Sequence, residues 1–83
     1  MKLDILTPEQ ILFSGEVSMV TVPGTKGLFT IKQNHAPIIS SLKKGVITYR
    51  TVNNGETNIE TTGGFVEMNN NVISICIETA GNS

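Results

Sequence analysis

The sequence predicts an all-β protein, a flattened β-sandwich or barrel of about eight to ten short strands. Three observations carry that prediction. Ten Ile, seven Val and ten Thr among 83 residues make the chain rich in β-branched side chains, which fit a pleated, half-buried surface and lose rotamer freedom in a helix. Apolar residues recur with a period of two, and no long amphipathic helix is visible. Gly, Asn and Pro punctuate the chain at short intervals.

Taken in order, strands are expected near residues 3–6, 10–13, 16–22 and 28–31, with 38–42 a shorter fifth. Between the first two, Thr7-Pro8-Glu9-Gln10 resembles a helix-capping box with Pro at the first helical position. Only a few residues separate Gln10 from Gly15, too short for a stable helix, so a turn feeding a strand is the preferred reading. In the third strand Val20 and Val22 alternate with Met19 and Thr21. Further on, Val46, Thr48 and Arg50 alternate with Ile47, Tyr49 and Thr51, and Asn53-Asn54-Gly55 tolerates the positive φ of a tight hairpin. This places strands at 46–52 and 56–61. Gly63-Gly64 and Asn69-Asn70-Asn71 bracket a short strand at 65–68, which turns back into 72–78. There Ile73, Ile75 and Ile77 face one way and Ser74, Cys76 and Glu78 the other.

A chain of this length holds one domain, residues 1–83, with a thin core to which partner surface adds stability. The net charge is −1, so no broad field exists to hold nucleic acid or an anionic membrane. The single cysteine, Cys76, cannot form an internal disulfide and reads as a free thiol of a reducing, cytosolic-side compartment. No apolar stretch approaches the ~20 residues needed to span a bilayer, and Met1-Lys2-Leu3-Asp4 does not open a signal peptide.

Catalytic chemistry finds little support. Asp4, His35 and Cys76 are the single Asp, His and Cys, and nothing forces the first strand, a loop and the last strand to bring them together. One Cys and one His fall short of a structural zinc site, so no metal or cofactor is expected. Glu56 and Glu60 share one side of a strand, which reads as a solvated face. Gly24-Thr25-Lys26-Gly27 lacks the spacing of a phosphate-binding loop and reads as a surface turn. Leu28 and Phe29 are adjacent, so a strand sends one of them out of the core, where it suggests a docking surface; burial of both beneath the loop is the alternative. His35 reads as a hydrogen-bonded residue shaping the Ala36-Pro37 turn, with a pH sensor as the less favoured alternative.

Several ordered segments resemble one family. Residues 3–9 (Leu-Asp-Ile-Leu-Thr-Pro-Glu), 13–17 (Phe-Ser-Gly-Glu-Val), 20–27 (Val-Thr-Val-Pro-Gly-Thr-Lys-Gly), 35–39 (His-Ala-Pro-Ile-Ile), 42–46 (Leu-Lys-Lys-Gly-Val), 63–67 (Gly-Gly-Phe-Val-Glu) and Asn71-Val72 are similar, in order, to the N-terminal β-sandwich domain of the epsilon subunit of bacterial F-type ATP synthases. The resemblance implies a ten-stranded sandwich in the central stalk that turns with the gamma subunit, touches the c-ring and does no chemistry. It also implies a peripheral position on the cytoplasmic face of the bacterial plasma membrane. By analogy Thr25, Lys26, Gly27 and Leu28 face the c-ring, and Thr7, His35 and Ser40 face gamma.

Three departures from the family pattern stand out. Leu28 replaces an acidic residue common in the c-ring loop, with Lys26 nearby. Gln33-Asn34 replaces Pro-Gly before His-Ala-Pro, and Asn still tolerates positive φ. The sequence stops at Gly81-Asn82-Ser83, where many relatives begin a C-terminal helical hairpin, so the autoinhibition and nucleotide sensing of that hairpin are not expected. Two other classes stay open at this point: a generic sandwich module binding a peptide or sugar, with no Trp and only Tyr49 for sugar stacking, and a small thiol or acid–base enzyme.

Overall fold

The structure, a computed structural model, describes residues 1–53 and 55–79. Nine strands run through them: β1 (Lys2–Leu6), β2 (Ile11–Glu16), β3 (Met19–Gly24), β4 (Gly27–Lys32), β5 (Ile38–Leu42), β6 (Gly45–Thr51), β7 (Gly55–Thr61), β8 (Gly63–Asn69) and β9 (Val72–Glu78). The all-β prediction holds; the resemblance implied ten strands, and the described residues form nine.

They hydrogen-bond into one continuous sheet in the order β2-β1-β9-β8-β5-β3-β6-β7, with β4 on the other side of β3. Every pairing is antiparallel except that of β1 with β9, where Leu3 lies opposite Ile73 and Ile5 opposite Ile75 in parallel. The first and last strands are thereby locked together. Between β5 and β3 the ladder narrows to the single pair Gly24–Leu42. At that seam the sheet folds over, and a five-stranded half (β2-β1-β9-β8-β5) covers a four-stranded half (β4-β3-β6-β7).

The two-residue period explains the core between the halves. Leu3, Ile5, Val66, Met68, Ile73, Ile75 and Ile77 from one half meet Val20, Val22, Ile31, Ile47 and Tyr49 from the other. Phe13 and Tyr49 touch across the interior with ring centroids 4.3 Å apart. Leu3, Ile5, Ile73 and Ile75 have no exposed surface, and each such side chain contributes roughly 1.5–3 kcal/mol by leaving water.

One predicted boundary is corrected. Residues 16–22 read as one strand, but β2 runs on through Glu16 and β3 begins only at Met19. At the break the partner changes: β2 pairs with β1, and β3 with β6. Val17 is buried at the crossing, its N–H donating to the Met1 carbonyl at 2.9 Å, while the Ser18 N–H donates to the Arg50 carbonyl at 2.8 Å. Periodicity along one segment carries no information on such a change of neighbour.

The turns follow their chemistry. Thr7 Oγ1 accepts the N–H groups of Glu9 at 3.3 Å and Gln10 at 3.1 Å, and the Thr7 N–H donates to the Gln10 carbonyl at 2.9 Å. These bonds close a hairpin between β1 and β2, so the turn prevails over the capping-box helix. Asn70 and Asn71, at φ 53° and 62°, form the tight β8–β9 turn. Gly55, at φ 72°, closes the predicted Asn-Asn-Gly hairpin, although Asn54 lies outside the described residues. Gly64 admits no side chain: at φ 143°, a Cβ there would lie 2.1 Å from the Cys76 carbonyl oxygen.

Candidate functional site

The β3–β4 hairpin ends in a tip whose backbone is fastened to the neighbouring β5–β6 turn. The Thr25 N–H donates to the Ser41 carbonyl at 3.1 Å, and the Lys43 N–H donates to the Pro23 carbonyl at 2.9 Å. Gly45 approaches the Pro23 ring so closely that a Cβ would stand 2.8 Å from the Pro23 Cβ. These three contacts make the tip a rigid projection instead of a loose loop. Thr25 and Lys26 are exposed in the turn itself, and Gly27 takes φ 131°, a conformation that favours glycine.

Beyond the turn Leu28 and Phe29 part company as strand geometry requires. Phe29 packs against the core; Leu28, opposite Pro23 on the outer side, is 71% exposed. The reading that both are buried is thereby overturned. Lys26, Lys43 and Lys44 are exposed at this end, and none forms an ion pair among the described residues. By contrast Lys2 pairs with Asp4 and Arg50 with Glu56.

A second surface is the outer side of the five-stranded half. Register aligns Leu6 with Ile11 on one side and with Cys76 on the other, then Cys76 with Phe65 and Phe65 with Ser41. An apolar row thus crosses the strands, with Ile11 66% and Phe65 46% exposed and Ile39 beside it 77% exposed. A cleft of about 390 Å³ on this side is lined by Leu6, Thr7, Pro8, Phe65, Cys76, Ile77 and Glu78. Sequence reading singled out Leu28 alone. The missed signal was the exposed parity of Phe65, Cys76 and Ile39 within their own strands.

Thr7, His35 and Ser40 do not cluster. Thr7 stands in the β1–β2 turn at the end of the row just described. His35 is exposed in the β4–β5 loop, its Nδ1 donating to the Ala36 carbonyl at 2.9 Å. That loop lies at the opposite end, because Asn34 is bonded to Asn71 beside the start of β9. Ser40 is half-buried on β5 and lines a cleft of about 470 Å³ with Thr25, Lys26 and Gly27, so it adjoins the tip. Thr7 and His35 thus stand at opposite ends of the five-stranded half, whereas Ser40, opposite the fully buried Val66, lies on its inner side beside the tip.

Nor do the rare reactive groups form a triad. Asp4 accepts a hydrogen bond from Ser14 Oγ at 2.6 Å; that bond, ahead of the nearby Lys2 ammonium, lowers its pKa below the ordinary 3.8. Cys76 is half-buried beside Phe65. His35 is at the other end, beside the start of β9 at Val72, which strand rise puts about 13 Å from Cys76.

With this geometry in hand, comparison with known proteins is specific. The family model for the ATP synthase, Delta/Epsilon chain, beta-sandwich domain matches residues 1–83. The chain is 43% identical over 70 residues to the ATP synthase epsilon chain of Chlorobium limicola, covering 84% of this chain and 80% of that one. To the epsilon chain of Leptospira borgpetersenii it is 42% identical over 77 residues, covering 90% of this chain but only 58% of its relative. Among solved structures, a chain of the Euglena gracilis mitochondrial ATP synthase OSCP/F1/c-ring assembly superposes with a TM-score of 0.84 at 18% identity, covering 90% of this chain and 48% of that one. A chain of the Tetrahymena thermophila mitochondrial ATP synthase central stalk and c-ring gives 0.79 at 19% identity, covering 93% and 62%. The structural likenesses establish the shared fold, and the family model with the sequence relatives establishes descent: this chain belongs to the ATP synthase delta/epsilon chain beta-sandwich family.

Proposed function

We propose that this chain is a non-catalytic subunit of the central stalk of an F-type ATP synthase, binding the gamma subunit and the c-ring and coupling ion-driven rotation to ATP synthesis. Family membership over the full 83 residues carries the reading. The shape supports it: a two-layered body, its layers joined at the β5–β3 seam and packed on one shared core, resists shear, and it carries two distinct outward surfaces.

The tip at Thr25, Lys26, Gly27 and Leu28 is the part assigned to the c-ring. The outer side of the five-stranded half, with its exposed Ile11, Phe65 and Ile39, is the part assigned to gamma, with Thr7 and His35 at its two ends and Ser40 on its edge strand β5. Exposed apolar rows of this kind mark protein contacts. Torque is then borne over a broad face, and one exposed loop need not transmit it alone. The subunit sits peripherally in a membrane complex, on the cytoplasmic face in this reading. Co-purification tests it: a tagged chain expressed in its host brings down gamma and c-ring together, and recovery of neither rejects the proposal.

A further inference from the structure

We propose that Asn71 is a positioning residue for partner binding: through Asn34 it holds the exposed segment His35-Ala36-Pro37 in place beside the outer side of the five-stranded half. This deepens the assignment of that side to gamma and rests on it. The segment leaves β4 through a turn in which the His35 N–H donates to the Lys32 carbonyl at 3.1 Å and Asn34 takes φ 65°. A bond from the fourth residue to the first, with positive φ only at the third, is the pattern of a type II turn, which favours Pro at its second position and Gly at its third. Gln33 and Asn34 occupy those positions, so local preference holds this turn only weakly.

The support comes from a distant part of the chain. Asn71 is itself anchored, since its carbonyl accepts the Lys2 N–H at 2.9 Å where β9 meets β1. From that anchor its side chain grips Asn34 twice, Oδ1 accepting the Asn34 N–H at 2.8 Å and Nδ2 donating to Asn34 Oδ1 at 3.1 Å. Beyond the strand ladders, these are the sole hydrogen bonds among the described residues that join loop 33–37 to the five-stranded half. Every residue from Lys32 to Pro37 is exposed, so burial does not substitute for the pair. Pro37 from this loop lines a cleft of about 390 Å³ with Ile38, Ile39, Glu67, Met68 and Asn69. Ile39 is 77% exposed there, so the cleft continues the apolar outer surface. A loop held before the partner arrives need not be ordered during binding, which raises affinity without adding a contact.

The test is the kinetics of binding of the full chain to purified gamma, measured by surface plasmon resonance. Asn71→Gly keeps the left-handed turn and removes both side-chain bonds, and it is expected to lower affinity about fivefold. The loss falls on the association rate, because fewer molecules present the loop ready to bind. Asn71→Asp keeps the acceptor for the Asn34 N–H and gives an intermediate loss. Adding Gln33→Pro and Asn34→Gly to Asn71→Gly supplies the residues that a type II turn favours, and is expected to bring affinity back to within about twofold of wild type. Circular dichroism verifies that each chain remains folded. Wild-type affinity in folded Asn71→Gly overturns the positioning role alone and leaves Asn71 a purely structural residue. A loss that Gln33→Pro with Asn34→Gly does not repair overturns it in favour of direct contact between Asn71 and gamma. Absence of binding by the wild-type chain overturns it together with the assignment of the outer side to gamma.

Discussion

Asn34 and Asn71 hold each other through two hydrogen bonds although 37 residues separate them. The Asn34 N–H donates to Asn71 Oδ1 at 2.8 Å, and Asn71 Nδ2 donates to Asn34 Oδ1 at 3.1 Å. Both residues are left-handed, at φ 65° and 62°, a conformation Asn tolerates better than most. The pair fastens the loop carrying His35 to the β8–β9 turn. Gly at either site keeps the backbone conformation; Asn71→Gly removes both bonds and should lose about 1–2 kcal/mol, whereas Asn34→Gly removes only the bond from Asn71 Nδ2 and should lose about 1 kcal/mol. A double-mutant cycle by urea unfolding is expected to show coupling of at least ~0.5 kcal/mol; strict additivity contradicts the clamp.

Gly64 carries the most severe local constraint. A Cβ there collides with the Cys76 carbonyl at 2.1 Å in a backbone conformation already unfavourable to other residues. Gly64→Ala should therefore cost on the order of 3 kcal/mol or prevent folding. Gly55→Ala, where the Cβ meets nothing within 4 Å, should cost only the positive-φ strain, about 1 kcal/mol. Thermal unfolding of the two variants side by side checks the ranking.

Asp4 gives a pH prediction. Its carboxylate is stabilised first by the Ser14 hydroxyl and then by Lys2, which lowers its pKa in the folded chain below 3.8. A depressed value means that the folded state binds the proton less readily than the unfolded one. The contribution is therefore complete above the unfolded pKa and is lost as pH falls through the folded value. Ser14→Ala should move the Asp4 titration, followed by NMR, upward; an unchanged titration contradicts the assigned cause.

Leu28→Asp separates interface from core. Because the side chain projects outward at 71% exposure, its replacement should change stability by no more than ~0.5 kcal/mol while weakening association with the c-ring. A large drop in melting temperature would place Leu28 in the core instead.

The parts of this fold legible in the sequence are the local ones. Alternation placed Ile73, Ile75 and Ile77 in the core, glycines and asparagines marked the turns, and adjacency alone predicted that Leu28 and Phe29 would separate. What stayed hidden depends on distant neighbours. Nothing along Lys2–Leu6 indicates that its parallel partner is the last strand, or that the chain changes sheet at Val17. The same holds for the surfaces: Phe65, Cys76 and Leu6 each look unremarkable within their own strands and form a row only through register. His35 and Thr7, carried over from the family pattern, stand at opposite ends of one half, an arrangement that sequence order does not reveal.

Adhesion to gamma through the outer side of the five-stranded half is tested by calorimetric titration of purified gamma with the wild-type chain and with a chain bearing Ile39→Asp and Phe65→Asp. A saturable complex is expected for the first and a loss of affinity of about tenfold or more for the second, with both chains equally folded. No heat of binding from the wild type, or equal affinity from the two, would contradict it.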